Sequence, residues 1–174
     1  MAAYTGLREG ELLGLRWCDV DLKKREIHVR HQLSRTGKLV EPKTPKAVRT
    51  VPLGKEMVRF LTRHRLASDF STDEHLVFPS QDGTPLNQSN LVNRGFRPAL
   101  KKAGLDGLNP GIRFHDLRHF FASVMIDRGV SSVVLADVMG HRDSRTTERI
   151  YVHLFNRRRT ADQVRDAMQS AMRQ

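Results

Sequence analysis

Near the C-terminal end of the chain, Phe114-His115-Asp116-Leu117-Arg118-His119 is followed by Gly140-His141 and then by Tyr151. Arginine is a permanent cation whose planar fork of donors fits phosphate oxygens. Histidine exchanges a proton near neutral pH. Tyrosine can attack and form a covalent intermediate. Together these are the parts for breaking a phosphodiester bond without a metal. That reaction has four requirements. Phosphate charge must be neutralised as the transition state forms. The phenol must lose a proton, and the departing 5′ oxygen must gain one. All groups must be held in line with the scissile bond.

Arg118 lies three residues after His115, which puts both on one side of a helix. One arginine cannot embrace both non-bridging oxygens from opposite sides, so a second is expected. Arg8 is the best candidate, in a Gly-Leu-Arg turn at a helix entrance where a cation gains nothing from the helix dipole. Glu11, three residues on, is placed to hold its guanidinium. Lys43, in Glu41-Pro42-Lys43-Thr44, sits where a hairpin lysine can swing over bound DNA and protonate a leaving oxygen, with Lys38 and Lys46 as rivals. His115 and His141 are candidates to accept protons or to donate hydrogen bonds to phosphate. Of the two tyrosines, Tyr4 has no comparable setting, which leaves Tyr151 as the candidate nucleophile. A competing constellation is His115 and His119, four apart on a helix, a spacing that can bind zinc. The zinc-peptidase pattern requires Glu at its second position, and here that residue is Asp116.

The elements that must position these residues follow from periodicity. Leu12, Leu13 and Leu15 suggest a short buried helix beginning near Glu9, followed by a turn over Asp19-Val20-Asp21-Leu22. Alternation predicts strands over 26–31, 39–41 and 48–53, with a hairpin turn at Thr36-Gly37-Lys38. Three consecutive short strands imply a small antiparallel sheet. Helices are expected over 55–67, 87–103 and 115–128, the last two closed by Gly104 and Gly129. Ser131 caps a short helix that ends before Gly140. A segment near 144–154 carries Tyr151, and Thr160-x-x-Gln163 has the form of a capping box that opens a last helix. That helix would line up Val164, Met168 and Met172.

Composition narrows the partner. The 174 residues suit one core, and 30 Lys+Arg against 19 Asp+Glu give a net charge of +11. Such an excess points to a polyanion, with nucleic acid first. No basic amphipathic helix favours a membrane surface. The densest run, Arg157-Arg158-Arg159, is either a solvated face or a DNA contact. The single cysteine, Cys18, excludes an intrachain disulfide and fits a reducing cytosol. There is no secretory signal pattern and no apolar run near the roughly 18 residues that span a bilayer, so a soluble, cytoplasmic protein is expected.

Read together, Thr5-Gly6-Leu7-Arg8-Glu9-Gly10-Glu11-Leu12, Leu15-Arg16-Trp17-Cys18-Asp19-Val20-Asp21, Pro42-Lys43-Thr44 with Arg49-Thr50-Val51-Pro52-Leu53, His115-Asp116-Leu117-Arg118-His119, Met139-Gly140-His141 and Tyr151 resemble the catalytic domain of tyrosine site-specific recombinases, also called phage integrases. The resemblance covers nearly the whole chain. It implies an α+β fold, mainly helical with a small three-stranded antiparallel sheet, over residues 1–174. It implies that Arg8 and Arg118 clamp the phosphate, that Lys43 protonates the 5′ oxygen and that His115 accepts a proton. His141 then supports the phosphate, and Tyr151 forms a 3′-phosphotyrosyl bond on double-stranded DNA. No cofactor, metal or nucleotide energy source is implied. Members of the family act as tetramers on paired sites and carry an N-terminal DNA-binding domain, so this chain is expected to be an excised fragment or a truncated gene product. The segment after Tyr151 commonly packs on a neighbouring protomer, a role that Val164, Met168 and Met172 suit as well as packing on their own core. A DNA-binding module without activity and a type IB topoisomerase are the rival readings.

Overall fold

The structure, a computed structural model, describes residues 1–42, 44–108 and 110–172. The chain starts with a single turn, α1 (Ala2–Thr5), stopped by Gly6 in the left-handed region at φ 64°. A side chain there would be strained and would also meet the Phe121 ring at 2.5 Å. Leu7 is buried, Arg8 takes an extended backbone, and α2 (Glu9–Leu13) follows.

Strands β1 (Val20–Asp21), β2 (Glu26–Val29) and β5 (Arg49–Pro52) form an antiparallel sheet in the order β1-β2-β5. Ile27 stands opposite Val20 on one side and Val51 on the other, and all three are buried. β3 (Gln32–Leu33) and β4 (Leu39–Val40) form a separate two-stranded ribbon. The three-stranded sheet is therefore as expected, but its membership is not. Leu39-Val40 does not enter it, and the expected turn at Asp19–Leu22 supplies the third strand. The reason lies in burial: Val20 faces the core, whereas both residues of β4 are exposed. The tight turn from Ser34 to Lys38 lets β4 fold back on β3 alone.

Helix α3 (Lys55–Ala67) has the expected limits. The expected helix over 87–103 is present in three parts: α4 (Gln88–Asn90), a wider π-helical stretch (Leu91–Phe96) and α5 (Arg97–Lys102). Pro98 has no N–H to give to a carbonyl four residues back, and a widened turn is one way to absorb that loss. Helix α6 (Asp116–Asp127) buries Arg118, Phe121, Ala122 and Ile126 along one face. Helix α7 (Ser132–Met139) starts where the Ser131 hydroxyl accepts from the Val134 N–H and stops at Gly140, φ 64°.

The last helix departs most from expectation. α8 runs from Ser144 to Ala171, so Thr160 opens no new helix. Its one interruption is Tyr151, whose φ and ψ of −117° and 17° are not helical. Beyond the kink, Arg158 donates to the carbonyls of Ile126 and Asp127 and so fastens α8 to the end of α6. Val164, Met168 and Met172 are exposed rather than packed on this chain's core.

Two apolar clusters result. One joins α1, α2, the sheet and α3 through Leu7, Leu12, Leu15, Trp17, Ile27, Val51 and Leu61. The other joins α6, α7 and α8 through Phe121, Ile126, Leu135, Met139 and Tyr151. Val138 touches both, and the polar groups described next lie along their junction.

Candidate active site

Arg8 is the residue before α2. Its backbone N–H donates to Glu11 Oε2 at 2.7 Å, and its Nη1 donates to Glu11 Oε1 at 2.8 Å. Its Nη2 reaches across the molecule to the Gly140 carbonyl at 3.0 Å. Arg118, 3% exposed on the inward face of α6, donates through Nη2 to the neighbouring carbonyl, Met139, at 2.6 Å and through Nη1 to the Gly6 carbonyl. Two guanidinium groups far apart in the chain thus end on consecutive carbonyls at the stop of α7. Burial, then repulsion from Arg8, draws Arg118 down to about 9, so it stays charged at neutral pH.

Glu11 is 3% exposed and holds a second arginine as well. Arg49 donates through Nη1 and Nη2 to its two carboxylate oxygens, both at 2.9 Å, and through Nε to the Val138 carbonyl at 2.7 Å. Burial alone would raise the Glu11 carboxyl. The Arg49 hydrogen bonds and charge, aided by Arg8, overcome it and hold the group at about 2. Arg49 explains the second glycine: a Cβ on Gly140 would lie 2.9 Å from Arg49 Nη1.

Tyr151 is 3% exposed, and its hydroxyl lies 2.7 Å from His119 Nδ1. Burial raises the phenol above its usual range, and the charge of Arg118 opposes that shift. His119 in turn packs edge-to-face on His115, with ring centroids 5.0 Å apart. Partial desolvation, then the charges of His119 and Arg118, lower His115. His141 Nδ1 lies 2.7 Å from the Thr147 hydroxyl. Burial, followed by repulsion from Arg118 and Arg8, pushes His141 down to about 4, so its ring is neutral at pH 7.

Five of the sequence-predicted residues, Arg8, His115, Arg118, His141 and Tyr151, therefore share one electrostatic neighbourhood. Lys43 lies outside the described residues. Sequence reasoning assigned no part in strand cleavage to His119, Arg49 or Thr147. Arg49 had a signal: it shares a strand face with Val51, two residues on, and that face points inward. From sequence, His119 stands out only as one of a pair at zinc-ligand spacing with His115. Among the described residues no group of three or more His, Cys, Asp or Glu side chains is gathered to hold a metal.

Residues 1–158 match the phage integrase family. The chain belongs to the phage integrase family. Among its relatives, a tyrosine recombinase XerC-like protein of Caldanaerobacter subterraneus subsp. tengcongensis is 31% identical over 92% of this chain. An integrase of Streptomyces ambofaciens is 36% identical over 87% of it. The chain spans about half the length of these relatives, 46% and 42% respectively. The fold is shared with solved members. The Tn1549 transposon integrase in complex with transposon right end DNA superposes with a TM-score of 0.71 at 28% identity, over 86% of this chain and 51% of that one. XerA recombinase superposes at 0.65 with 30% identity, over 84% and 48%. This phage integrase family chain thus shares its mostly helical architecture and small sheet with about half of each of these solved chains. Among the described residues no helix is long and apolar enough to cross a membrane.

Proposed function

We propose that residues 1–174 are a catalytic domain that cuts and rejoins double-stranded DNA through Tyr151. The observation that carries this reading is the delivery of Arg8 and Arg118 to the consecutive carbonyls of Gly140 and Met139, with the Tyr151 phenol within the field of Arg118. A phosphodiester drawn to that pair meets two fixed positive charges, and the N–H donors not spent on Glu11 and the carbonyls are left for its non-bridging oxygens. The Tyr151 oxygen attacks phosphorus, the bond to the 5′ oxygen breaks, and a 3′-phosphotyrosyl link remains. Lys43 gives the departing oxygen its proton. His115 is the proton acceptor on the open side of the site. His141, neutral at pH 7, supports the phosphate by a hydrogen bond rather than by charge. Attack by a 5′ hydroxyl from a partner strand reverses the step, so strands exchange without net bond loss.

Two features support DNA as the substrate: the net charge of +11, and the solved relative bound to transposon DNA. In the assembled protein we propose a tetramer on paired sites, with a DNA-binding domain preceding this one, working in the cytoplasm at the nucleoid. Because Tyr151 is buried, its phenol must turn outward to meet phosphorus, and the non-helical residue at that position is where α8 can give.

The test is covalent capture at low salt on a pool of nicked duplexes with randomised flanks, where loss of the short cleaved strand traps the adduct. The chain is expected to form a covalent DNA adduct. Tyr151→Phe is expected to abolish it while leaving salt-sensitive DNA binding in place. DNA binding without any adduct from the wild-type chain would favour a non-cleaving DNA-binding module. An adduct that persists in Tyr151→Phe would end the assignment of the nucleophile. Relaxation of supercoils on single sites, without exchange, would favour the topoisomerase-like reading.

A further inference from the structure

We propose that His119 is a catalytic residue, the first acceptor of the Tyr151 proton; the inference rests on the strand-cleavage reading. The side chain in contact with the nucleophilic oxygen is His119, at 2.7 Å from Nδ1 to Oη. That separation is the reach required of a general base before any question of affinity. In the tautomer that carries its hydrogen on Nε2, Nδ1 is an acceptor aimed at the phenol. His119 and Tyr151 are brought together by α6 and by the kinked turn of α8, so the bond joins two elements of one apolar cluster.

The surroundings suit a proton that moves and then leaves. On α6, His115, Asp116 and Arg118 face or flank the His119 ring; the Asp116 carboxylate feels its charge, and the His115 ring meets it edge-on at 5.0 Å. His141, from the stop of α7, also feels it, and Tyr151 is the facing group from α8. In the step, the Oη–H bond breaks while the phenol is still in its buried seat and its proton passes to Nδ1, and the phenolate then turns outward at the α8 kink. The oxygen's electron pair forms the bond to phosphorus. The pair of the broken P–O bond leaves with the 5′ oxygen, which takes a proton from Lys43. His115, on the open side, then exchanges the proton held by His119 with solvent. His119 thus acts at the nucleophile and Lys43 at the leaving group, and the two roles are chemically separable.

The experiment uses the chain with a duplex captured by the wild type, made with either oxygen or sulfur as the 5′ bridging atom. A 5′ thiolate leaves without a proton donor. His119→Asn places an amide near Nδ1 that can hydrogen-bond but not take a proton. It is expected to cleave both substrates about 10²–10⁴-fold more slowly than wild type. Its rate should climb with pH as phenolate forms unaided, with DNA binding unchanged. Lys43→Ala should be slow on oxygen and restored on sulfur. Added imidazole should partly restore His119→Gly, a readout that a purely structural role would not move. Wild-type rate and pH profile in His119→Asn would overturn the proposal, as would its rescue by sulfur or a failure of imidazole to restore His119→Gly. Absence of any adduct from the wild-type chain would instead overturn the strand-cleavage reading, so the two failures are distinct.

Discussion

The two halves of the site are built differently. The arginine side is locked: Arg8, Arg49 and Arg118 spend their donors on the Glu11 carboxylate and on the carbonyls of Gly6, Ala47, Val138, Met139 and Gly140. Those partners come from α1, α2, the approach to β5 and the end of α7, so the platform is part of the junction between the two apolar clusters. The tyrosine side hangs on less. Tyr151 makes one side-chain hydrogen bond, sits at a break in α8, and is followed by a helix whose apolar residues Val164 and Met168 are 52% and 62% exposed. The difference teaches that charge and nucleophile are positioned by separate means. The charge is preorganised by the fold, whereas the nucleophile is held in a seat that it must leave.

If that contrast is right, substitutions on the arginine side should unsettle the fold, and those on the exposed far half of α8, past Arg158, should not. The largest effect is expected for Arg49→Met, which leaves the buried Glu11 carboxylate with Arg8 alone. Breaking a buried pair costs about 3–5 kcal/mol, measurable as a shift of the urea midpoint. Adding Glu11→Gln in the same chain should recover part of that loss, because no uncompensated charge is then buried; a further loss of similar size would mean that the two act independently. Gly140→Ala comes next. It forces a left-handed backbone on a residue with a Cβ that meets Arg49, and roughly 1–3 kcal/mol should be lost.

His141→Gln probes the same side through pH. Folding lowers His141 from its ordinary value of 6.5 to about 4. The unfolded chain therefore binds the extra proton first, and stability should fall as pH drops from about 6.5 towards 4. That slope should flatten in His141→Gln; an unchanged slope would show that His141 is not held neutral. The smallest effect is expected for Met168→Lys, within about 0.5 kcal/mol by chemical denaturation. A large loss there would show that the far half of α8 is packed after all, and the contrast would fail.

Much of this arrangement could be read from the sequence because it rests on local rules. The Ser131 cap, the Gly140 stop and the limits of α3 follow from residue type and spacing alone. So does the placing of Arg118 and His115 on one helix. Leu39-Val40 pairs with β3 and not with the sheet, a partner that alternation cannot specify for so short an apolar run. Thr160 suggested a helix start because a capping-box pattern inside a continuing helix looks the same in sequence. The convergence of Arg8 with Arg118 follows from the sequence only as a requirement of the chemistry. Its means, a shared carboxylate and carbonyls at the end of a remote helix, depend on packing between distant segments. His119 was passed over for a similar reason: its partner is set by the kink at Tyr151, which no local signal announces.

The central claim is that Arg8 and Arg118 grip the two non-bridging oxygens of one phosphate. It is tested most directly by cleavage of a duplex carrying a methylphosphonate at the scissile position, with its two stereoisomers separated. Each isomer lacks one charged oxygen, so each should make one arginine dispensable. Arg8→Ala should be severely slowed on the ordinary phosphate and restored on one isomer only, and Arg118→Ala, measured at a temperature where its circular dichroism shows it folded, should be restored on the other. Equal slowing of both variants on phosphate and on both isomers would show that the two arginines do not share that phosphate.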